Sequence, residues 1–242
     1  AIKVLGISGV NVTIPHKERI IPFLDRLDPE AEAIGAVNTV VMEKDGTLTG
    51  YNTDGAGYVE SLKEETGLDL SQCKVLILGA GGAAKAIGVY LLKEGVPHLT
   101  IVNRTLERAH QLACHLEKYL KSRSSPLPAE ITVRSQADLA QNKSFDYQLI
   151  INTTSVGMWP HVNEMPMELG PLPPSTVVSD IVYNPYETLF LKKAKEQGAT
   201  IHRGLGMLVY QGTLAFKLFT GYEAPVDTMW EAVRNHLAGK AK

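Results

Sequence analysis

The sequence predicts an α/β protein with one unit of alternating strands and helices and a second, smaller α/β unit. From Cys73 onward, apolar strand-like segments alternate with helical segments, which is typical of a parallel sheet with right-handed crossovers. Before Cys73, GVNVTIPHK (9–17) alternates apolar and polar residues like a half-buried strand, and 37–54 has the pattern of a hairpin. With 242 residues, of which 44% are hydrophobic, the chain is long enough for two such units.

Composition favours a small-molecule partner. The formal net charge is -2 and no basic run occurs, so we expect neither a nucleic-acid nor a membrane partner. Two cysteines, Cys73 and Cys114, make a disulfide framework improbable and indicate a reducing compartment. The longest apolar stretch is interrupted by glycines and Lys85, and no secretory leader opens the chain. We therefore expect a cytoplasmic protein.

The first elements are short. AIKVLGI has the pattern of a helix end, and because no methionine precedes it we expect the natural chain to begin earlier. The strand in 9–14 is followed by KERIIPFLDRL, which predicts a short helix with Pro22 as an irregularity. DPEAEAIGA predicts a helix that starts at a proline.

VNTVVMEKDGTLTGYNTD gives the strongest hairpin signal in the chain. Asp45-Gly46 is a preferred two-residue turn, and counting outward from it places Asn38 opposite Thr53. The register thus predicts polar side chains at the open end of the hairpin. GAGYVESLKEETG then predicts a helix that ends at Gly67.

The remaining segments follow the alternating pattern. Strands are predicted at CKVLILG, HLTIVNR, ITVRS, YQLIINTT, TVVSDIVY and ATIHRG, and helices at AAKAIGVYLLKEG, LERAHQLACHLEKYL, TLFLKKAKEQG, MLVYQGTLAFKLFTG and DTMWEAVRNHLAG. SRSSPLPAE and the segment SVGMWPHVNEMPMELGPLPP are expected to be loops. We divide the chain into 1–70, 71–205 and 206–242, with the last helices returning to the first unit.

A glycine-rich turn follows the first strand of the alternating unit. Gly79, Gly81 and Ala84 form G-x-G-x-x-A between a strand and a helix, where backbone amides can hold a pyrophosphate. The alternative is merely a tight turn between strand and helix. The context favours a Rossmann-type dinucleotide domain.

The end of the next strand indicates which nucleotide. NAD-binding versions place a carboxylate there for the ribose 2′-hydroxyl, but this strand ends in Asn103, Arg104 and Thr105. Arg104 and Arg108 could pair with a 2′-phosphate, or both could be solvated residues at a helix start. The sequence favours NADP.

Polar side chains collect at two strand ends of the small unit. Taken alone, Lys17 fits an exposed lysine and Asp54 a helix N-cap. Together with Asn11, Thr13 and Asn38 they offer the groups that recognise a polyhydroxylated ligand. An alcohol–ketone interconversion with NADP also needs a group that exchanges a proton beside the reacting carbon, and a lysine can serve.

Six stretches in this order carry a family resemblance: GVNVTIPHK, GAVNTV, GYNTDG, LGAGGAAKA, NRT and GLGMLVYQG. The chain resembles shikimate dehydrogenases and their quinate-using relatives over essentially its whole length. The resemblance implies a Rossmann-type NADP-binding domain plus a smaller α/β substrate domain, with the active site in the cleft. It also implies interconversion of shikimate and 3-dehydroshikimate with NADP, in aromatic amino acid biosynthesis. A homodimer is left open.

The resemblance assigns roles to residues. Lys17 is implied as the catalytic acid/base and Asp54 as its partner at the reacting hydroxyl. Substrate-binding positions are Thr13, Asn38, Tyr183 and Gln211. Cofactor-binding positions are Gly79, Ala80, Gly81, Gly82 and Ala83 for the pyrophosphate, Asn103, Arg104, Thr105 and Arg108 for the 2′-phosphate, and Thr153, Thr154, Gly204 and Met207 near the nicotinamide.

Two features qualify this interpretation. Family members have an S-x-S turn that binds the substrate carboxylate, and residues 1–10 lack one, so we expect the N-terminal part of the substrate domain to be missing from this sequence. The histidines show no metal-ligand spacing, so no metal is expected. A quinate/shikimate dehydrogenase using NAD and a non-catalytic NADP-sensing regulator remain the alternatives.

Overall fold

A computed structural model describes residues 2–122, 129–141 and 145–240. The strands are β1 (Gly9–Asn11), β2 (Arg26–Leu27), β3 (Thr39–Met42), β4 (Leu48–Tyr51), β5 (Lys74–Leu78), β6 (His98–Val102), β7 (Glu130–Arg134), β8 (Leu149–Asn152), β9 (Val177–Asp180) and β10 (Thr200–Arg203). The helices are α1 (Ile2–Leu5), α2 (Pro29–Ile34), α3 (Asp54–Thr66), α4 (Gly82–Lys93), α5 (Leu106–Ser122), α6 (Gln136–Gln141), α7 (Leu189–Glu196), α8 (Gly204–Thr220) and α9 (Val226–Lys240). Residues 123–128 of the predicted loop SRSSPLPAE lie outside the described residues.

The larger sheet has six strands in the order β10-β9-β8-β5-β6-β7, and every neighbouring pair is parallel. Strands β8 and β9 are buried along their whole length, as expected for a sheet covered by helices on both faces. The predicted α/β class with a Rossmann-type parallel sheet is confirmed. The short helix α6 was not predicted from the sequence.

The smaller sheet has four strands in the order β1-β3-β4-β2. β1 and β4 pair with β3 in antiparallel fashion, and β2 lies parallel to β4. Its inner face packs against a small apolar cluster that includes Ala31, Val37 and Val40. The division into 1–70, 71–205 and 206–242 stays a prediction.

The segment KERIIPFLDRL is not the helix that its pattern predicts. Only one 3₁₀ turn forms, over Ile21–Phe23, and β2 follows at Arg26. Pro22 lies inside this turn, where its missing N–H is not needed, and Leu24 is already extended. The strand before it is also short, because β1 ends at Asn11 and residues 14–20 form turns.

The hairpin forms, but its register differs by one residue from the prediction. Thr39 pairs with Tyr51, so Asn38 lies opposite Asn52 rather than Thr53. The amide of Glu43 donates to the Thr47 carbonyl, which leaves a three-residue loop over 44–46. Gly46 adopts a left-handed φ of 81°, the conformation that a three-residue loop requires at that position.

Helices α3, α4 and α8 connect the two sheets. Gly57 on α3 lies so close to α8 that a β-carbon there would overlap the backbone of Gln211. Gly55, two residues earlier and so on another side of α3, meets Ala86 and Tyr90 of α4 in the same way. Helix α3 therefore has close backbone contacts with both neighbouring helices. Among the described helices, none is long and apolar enough to cross a membrane.

Candidate active site

An amine and a carboxylate meet at the N-terminus of α3. The Nζ of Lys17 lies 2.6 Å from Oδ2 of Asp54, and the two side chains are 20% and 6% exposed. Asp54 is the first residue of α3 and not its cap, because Thr53 occupies the N-cap position. The Asp54 amide instead donates to Oδ1 of Asn52. The Asp54 carboxylate is thus free to face Lys17.

Asn38 holds this carboxylate from the other side. Its Nδ2 donates to Asp54 Oδ1 and to the Thr53 hydroxyl, both at 2.9 Å. Its Oδ1 accepts from the Thr53 amide and from the Thr39 hydroxyl. Asn38 is 3% exposed and bonded through both ends of its amide, so its orientation is fixed.

Gln211 reaches the same cluster from α8. Its Oε1 lies 3.4 Å from Asn38 Nδ2, and its Nε2 donates to the carbonyl of Leu208. The close approach at Gly57 brings α8 near enough for this contact. Met207, one turn before Gln211, is buried at 8% exposure. Residues 173 positions apart in sequence therefore contact each other here.

Thr13 and Asn11 lie beside the cluster. The amide of Val12 donates to the Asn38 carbonyl, which places Thr13 next to Asn38 at the end of β1. Asn11 donates to the Thr39 hydroxyl at 3.2 Å. The Thr13 side chain is exposed, so its hydroxyl is available to a ligand.

The glycine-rich turn leaves its backbone open. A β-carbon on Gly81 or Gly82 would meet no described atom within 4 Å, whereas one on Gly79 would overlap Thr153. Gly79 has φ 114°, which L side chains rarely adopt. Gly81 is the N-cap of α4, so the 79–83 turn, which includes Ala80 and Ala83, leads into a helix N-terminus, and the Gly79 amide already donates to the Val102 carbonyl at 2.8 Å. This geometry fits a pyrophosphate.

Two guanidinium groups lie near the start of α5. Arg104 and Arg108 are exposed, and within the described ranges neither has a carboxylate partner. The turn between β6 and α5 is ordered because Asn103 Nδ2 donates to the Thr105 carbonyl at 2.8 Å. Two unpaired arginines on an ordered turn fit a phosphate group.

The turns after β8 and β9 are joined by buried hydrogen bonds that the sequence did not reveal. Asp180 accepts from Asn152 Nδ2, the Thr188 hydroxyl and the Val182 amide. Burial raises the Asp180 pKa to about 6 even though these donors favour the charged form. Asn152 Oδ1 in turn accepts from the Thr154 hydroxyl. The one available signal was Asn and Asp at corresponding ends of successive parallel strands.

The other predicted cofactor and substrate positions are distributed around these turns. The Thr153 hydroxyl donates to the carbonyl of Leu78, the residue directly before the glycine-rich turn, and so helps to order that turn. Gly204 begins α8 against the Ile181 carbonyl, where a β-carbon would not fit. Tyr183 is 43% exposed, and in the described part of the chain its hydroxyl makes no hydrogen bond to the Lys17 cluster. The structure leaves Tyr183 outside the connected cluster.

His202 is a second group whose environment was not predicted. Its ring lies between the hydroxyls of Ser61 and Ser179, each 2.8 Å away, and the Tyr58 hydroxyl also donates to Ser179. Burial lowers the His202 pKa to about 4. This network joins α3 to β9 and β10. No group of three or more His, Cys, Asp and Glu side chains among the described residues could hold a metal ion.

A cavity of about 600 Å³ lies elsewhere, between α3, α8 and α9. Its walls include Glu64, Arg203, Trp230 and Arg234, and none of the predicted site residues lines it. The paired amine and carboxylate of the Lys17 cluster lie outside this cavity.

The turn that carries Lys17 contacts α4, the helix that follows the glycine-rich turn. Glu18, the residue after Lys17, forms a 2.7 Å ion pair with Lys85 in the first turn of α4. A parallel sheet with an open glycine-rich turn, placed beside an amine–carboxylate pair, defines a dinucleotide-dependent oxidoreductase.

Comparison with known proteins gives the family. Residues 1–40 match the shikimate dehydrogenase substrate binding domain, 60–141 the shikimate/quinate 5-dehydrogenase model, and 204–234 the shikimate 5'-dehydrogenase C-terminal domain. A shikimate dehydrogenase (NADP(+)) of Geobacillus sp. (strain WCH70) is 46% identical over 98% of this chain and 82% of its own. The chain therefore belongs to the shikimate dehydrogenase family, as the sequence motifs predicted.

Solved structures agree. A shikimate dehydrogenase crystallised with NADP+ superposes with a TM-score of 0.87 at 40% identity, covering 98% of this chain and 79% of that one. A shikimate 5-dehydrogenase from Listeria monocytogenes, in complex with shikimate and NAD, gives a TM-score of 0.85 at 36% identity, covering 96% and 79%.

Proposed function

We propose that this protein is an NADP-dependent shikimate dehydrogenase that interconverts shikimate and 3-dehydroshikimate. The observation that carries the proposal is the Lys17–Asp54 pair, held by Asn38 and placed beside the glycine-rich turn. The NADP-dependent relatives support the choice of cofactor. The reaction belongs to aromatic amino acid biosynthesis, which the family implies.

The chain's own groups would hold NADP in three places. The 79–83 turn is proposed to bind the pyrophosphate at the α4 N-terminus through the amides of residues 80–83, while Gly79, whose amide donates to the Val102 carbonyl, shapes the turn. The side chains proposed to bind the 2′-phosphate are Asn103, Arg104, Thr105 and Arg108. Those proposed near the nicotinamide are Thr153, Thr154, Gly204 and Met207. When bound, NADP supplies the ring that accepts or returns the hydride.

Lys17 and Asp54 manage the proton. As the shikimate hydroxyl is oxidised, Lys17 takes the hydroxyl proton, and it returns that proton in the reverse direction. Asp54 orients the hydroxyl and the Lys17 amine, because its carboxylate is itself fixed by Asn38. General acid–base catalysis of this kind contributes roughly 10²–10⁴-fold to a rate.

The remaining substrate contacts come from groups around this pair. Thr13, Asn38, Tyr183 and Gln211 are proposed to bind substrate hydroxyls. Of these, Asn38 and Gln211 are already joined to the cluster, so they are ordered before substrate arrives. Such preorganisation lowers the cost of aligning the reactants. For Tyr183, which lies outside the cluster, the proposal requires the substrate itself to complete the contact.

The proposal is tested by initial rates in a two-by-two comparison. The natural full-length protein is assayed with shikimate or quinate and with NADP or NAD, following reduced cofactor by absorbance. We expect the highest kcat/KM for shikimate with NADP. Higher values with quinate and NAD would favour the quinate-using alternative, and binding of NADP without turnover would favour a sensor. We also propose a cytoplasmic homodimer, whose oligomeric state light scattering would measure.

A further inference from the structure

One ion pair connects the catalytic turn to the cofactor-binding helix. Oε1 of Glu18 lies 2.7 Å from Nζ of Lys85, with the two side chains 56% and 26% exposed. Glu18 directly follows Lys17 within the turns of 14–20, and Lys85 is the fourth residue of α4. The pair joins residues 67 positions apart.

Lys85 is not placed to stabilise its own helix. A cation in the first turn lies at the positive end of the helix dipole, which is unfavourable. The Glu18 carboxylate offsets this charge from outside the helix. Because a bound pyrophosphate would lie at the same helix end, Lys85 is adjacent both to the cofactor region and to the turn that holds Lys17.

The other contacts of the turn lie within the small unit. The Lys17 carbonyl accepts from the Val37 amide, and the Lys17 amine contacts Asp54. Ile14 and Pro15 are exposed, whereas Ile20, at the end of the turn, packs against the apolar cluster of the small sheet. Glu18 therefore supplies a contact from the 14–20 turn across to α4, and it directly follows Lys17 in the chain.

We propose that the Glu18–Lys85 ion pair is a positioning contact that aligns Lys17 with the cofactor-binding end of α4. Glu18 and Lys85 are positioning residues, since they act through Lys17. The expected change in kcat rests on the proposed function, whereas the expected ordering of the 14–20 turn does not.

Helix α4 provides a matched control at its other end. Lys93, the last residue of α4, pairs with Glu30 of α2 and so also links α4 to the small sheet's unit. Lys85 and Lys93 are eight positions apart, so the two pairs lie about 12 Å apart along the helix. Lys93→Met removes a comparable contact far from the 14–20 turn.

The experiment compares Glu18→Gln, Lys85→Met, Lys85→Arg, their Glu18→Gln/Lys85→Met combination and Lys93→Met. We expect Glu18→Gln and Lys85→Met each to lower kcat with shikimate by about threefold to fivefold, the size expected for a partly exposed ion pair. The combination should be no worse than Lys85→Met. Lys85→Arg and Lys93→Met should keep the wild-type kcat.

A second readout does not depend on turnover. The His16 amide donates to the Thr13 carbonyl, that of Ile20 to His16 and that of Ile21 to Glu18, so their hydrogen exchange reports the stability of the 14–20 turn and its two ends. Exchange should be faster by about threefold in Glu18→Gln and Lys85→Met and unchanged in Lys93→Met.

Glu18→Gln separates positioning from simple attraction of the cofactor, because it breaks the pair but keeps the Lys85 cation. If Glu18→Gln leaves both kcat and exchange at wild-type values, the proposal is overturned, even where Lys85→Met weakens NADP binding. Equal effects of Lys93→Met would overturn it too. If the wild-type protein shows no turnover with shikimate, the proposed function fails, and the exchange data alone then decide whether the ion pair orders the turn.

Discussion

Replacing Asp54 by asparagine tests how much the carboxylate contributes to alignment. The substitution preserves shape but offers one carbonyl oxygen where two carboxylate oxygens now accept from Lys17 at 2.6 Å and Asn38 at 2.9 Å. The new NH₂ group must therefore face a donor, either the Lys17 amine or the Asn38 amide. Hydrogen bonds to charged groups contribute about 1.5–3 kcal/mol, so kcat/KM for shikimate should fall by about tenfold to 150-fold.

The assay is steady-state reduction of NADP, with NADP binding measured separately by calorimetry. Asp54 does not contact the glycine-rich turn, so we expect an unchanged Kd for NADP. Asp146→Asn is the matched control, because Lys74 and Asp146 form a pair of the same 2.6 Å length on the exposed surface. Its kcat/KM should equal the wild-type value. An Asp54→Asn variant with wild-type kcat/KM would refute the reasoning.

Three further changes test other parts of the account. Arg104→Gln should raise the KM for NADP by about tenfold or more and leave the KM for NAD unchanged, because only NADP has a 2′-phosphate for a charge-assisted bond. An equal effect on both cofactors in steady-state assays would count against Arg104 as a 2′-phosphate ligand. Gly57→Ala should lower the free energy of unfolding by about 1–3 kcal/mol and raise the KM for shikimate, since the new methyl group pushes α8 and Gln211 away. An unchanged midpoint of the urea titration would contradict this. His202→Asn should reduce the acid sensitivity of folding. The folded-state pKa of about 4 lies below the ordinary 6.5, so the unfolded chain binds the extra proton, and the wild-type protein loses up to about 3 kcal/mol of its free energy of unfolding as pH falls from 6.5 to 4. Equal slopes of stability against pH in both proteins would disprove this cause.

Much of the fold could be predicted because its signals are local. Each strand of the parallel sheet is a short apolar run followed by a helical pattern, and Gly35, Gly67 and Gly221 adopt the left-handed conformation at helix ends. The failures came where two local signals compete. KERIIPFLDRL has helical spacing, but Pro22 interrupts it. Asp45-Gly46 suggests a two-residue turn, but Asp45 accepts from the Thr47 amide and hydroxyl and a three-residue loop results.

The active-site cluster survived the register error for a physical reason. Asn38 needs only to lie at the open end of the hairpin to reach Thr53 and Asp54, and a shift of one residue preserves that. Asn152 and Asp180 were missed because their bond depends on strand order: β8 and β9 are neighbours, which no local pattern states. The same holds for His202, whose partners come from α3 and β9.

The most direct test of the central claim is the rate of NADPH formation from shikimate by the natural full-length protein and its Lys17→Ala variant. We expect the variant to lose roughly 10²–10⁴-fold in kcat, the usual contribution of a general acid–base group, with NADP binding preserved. A variant that binds NADP and turns over shikimate at the wild-type rate would contradict the role of Lys17.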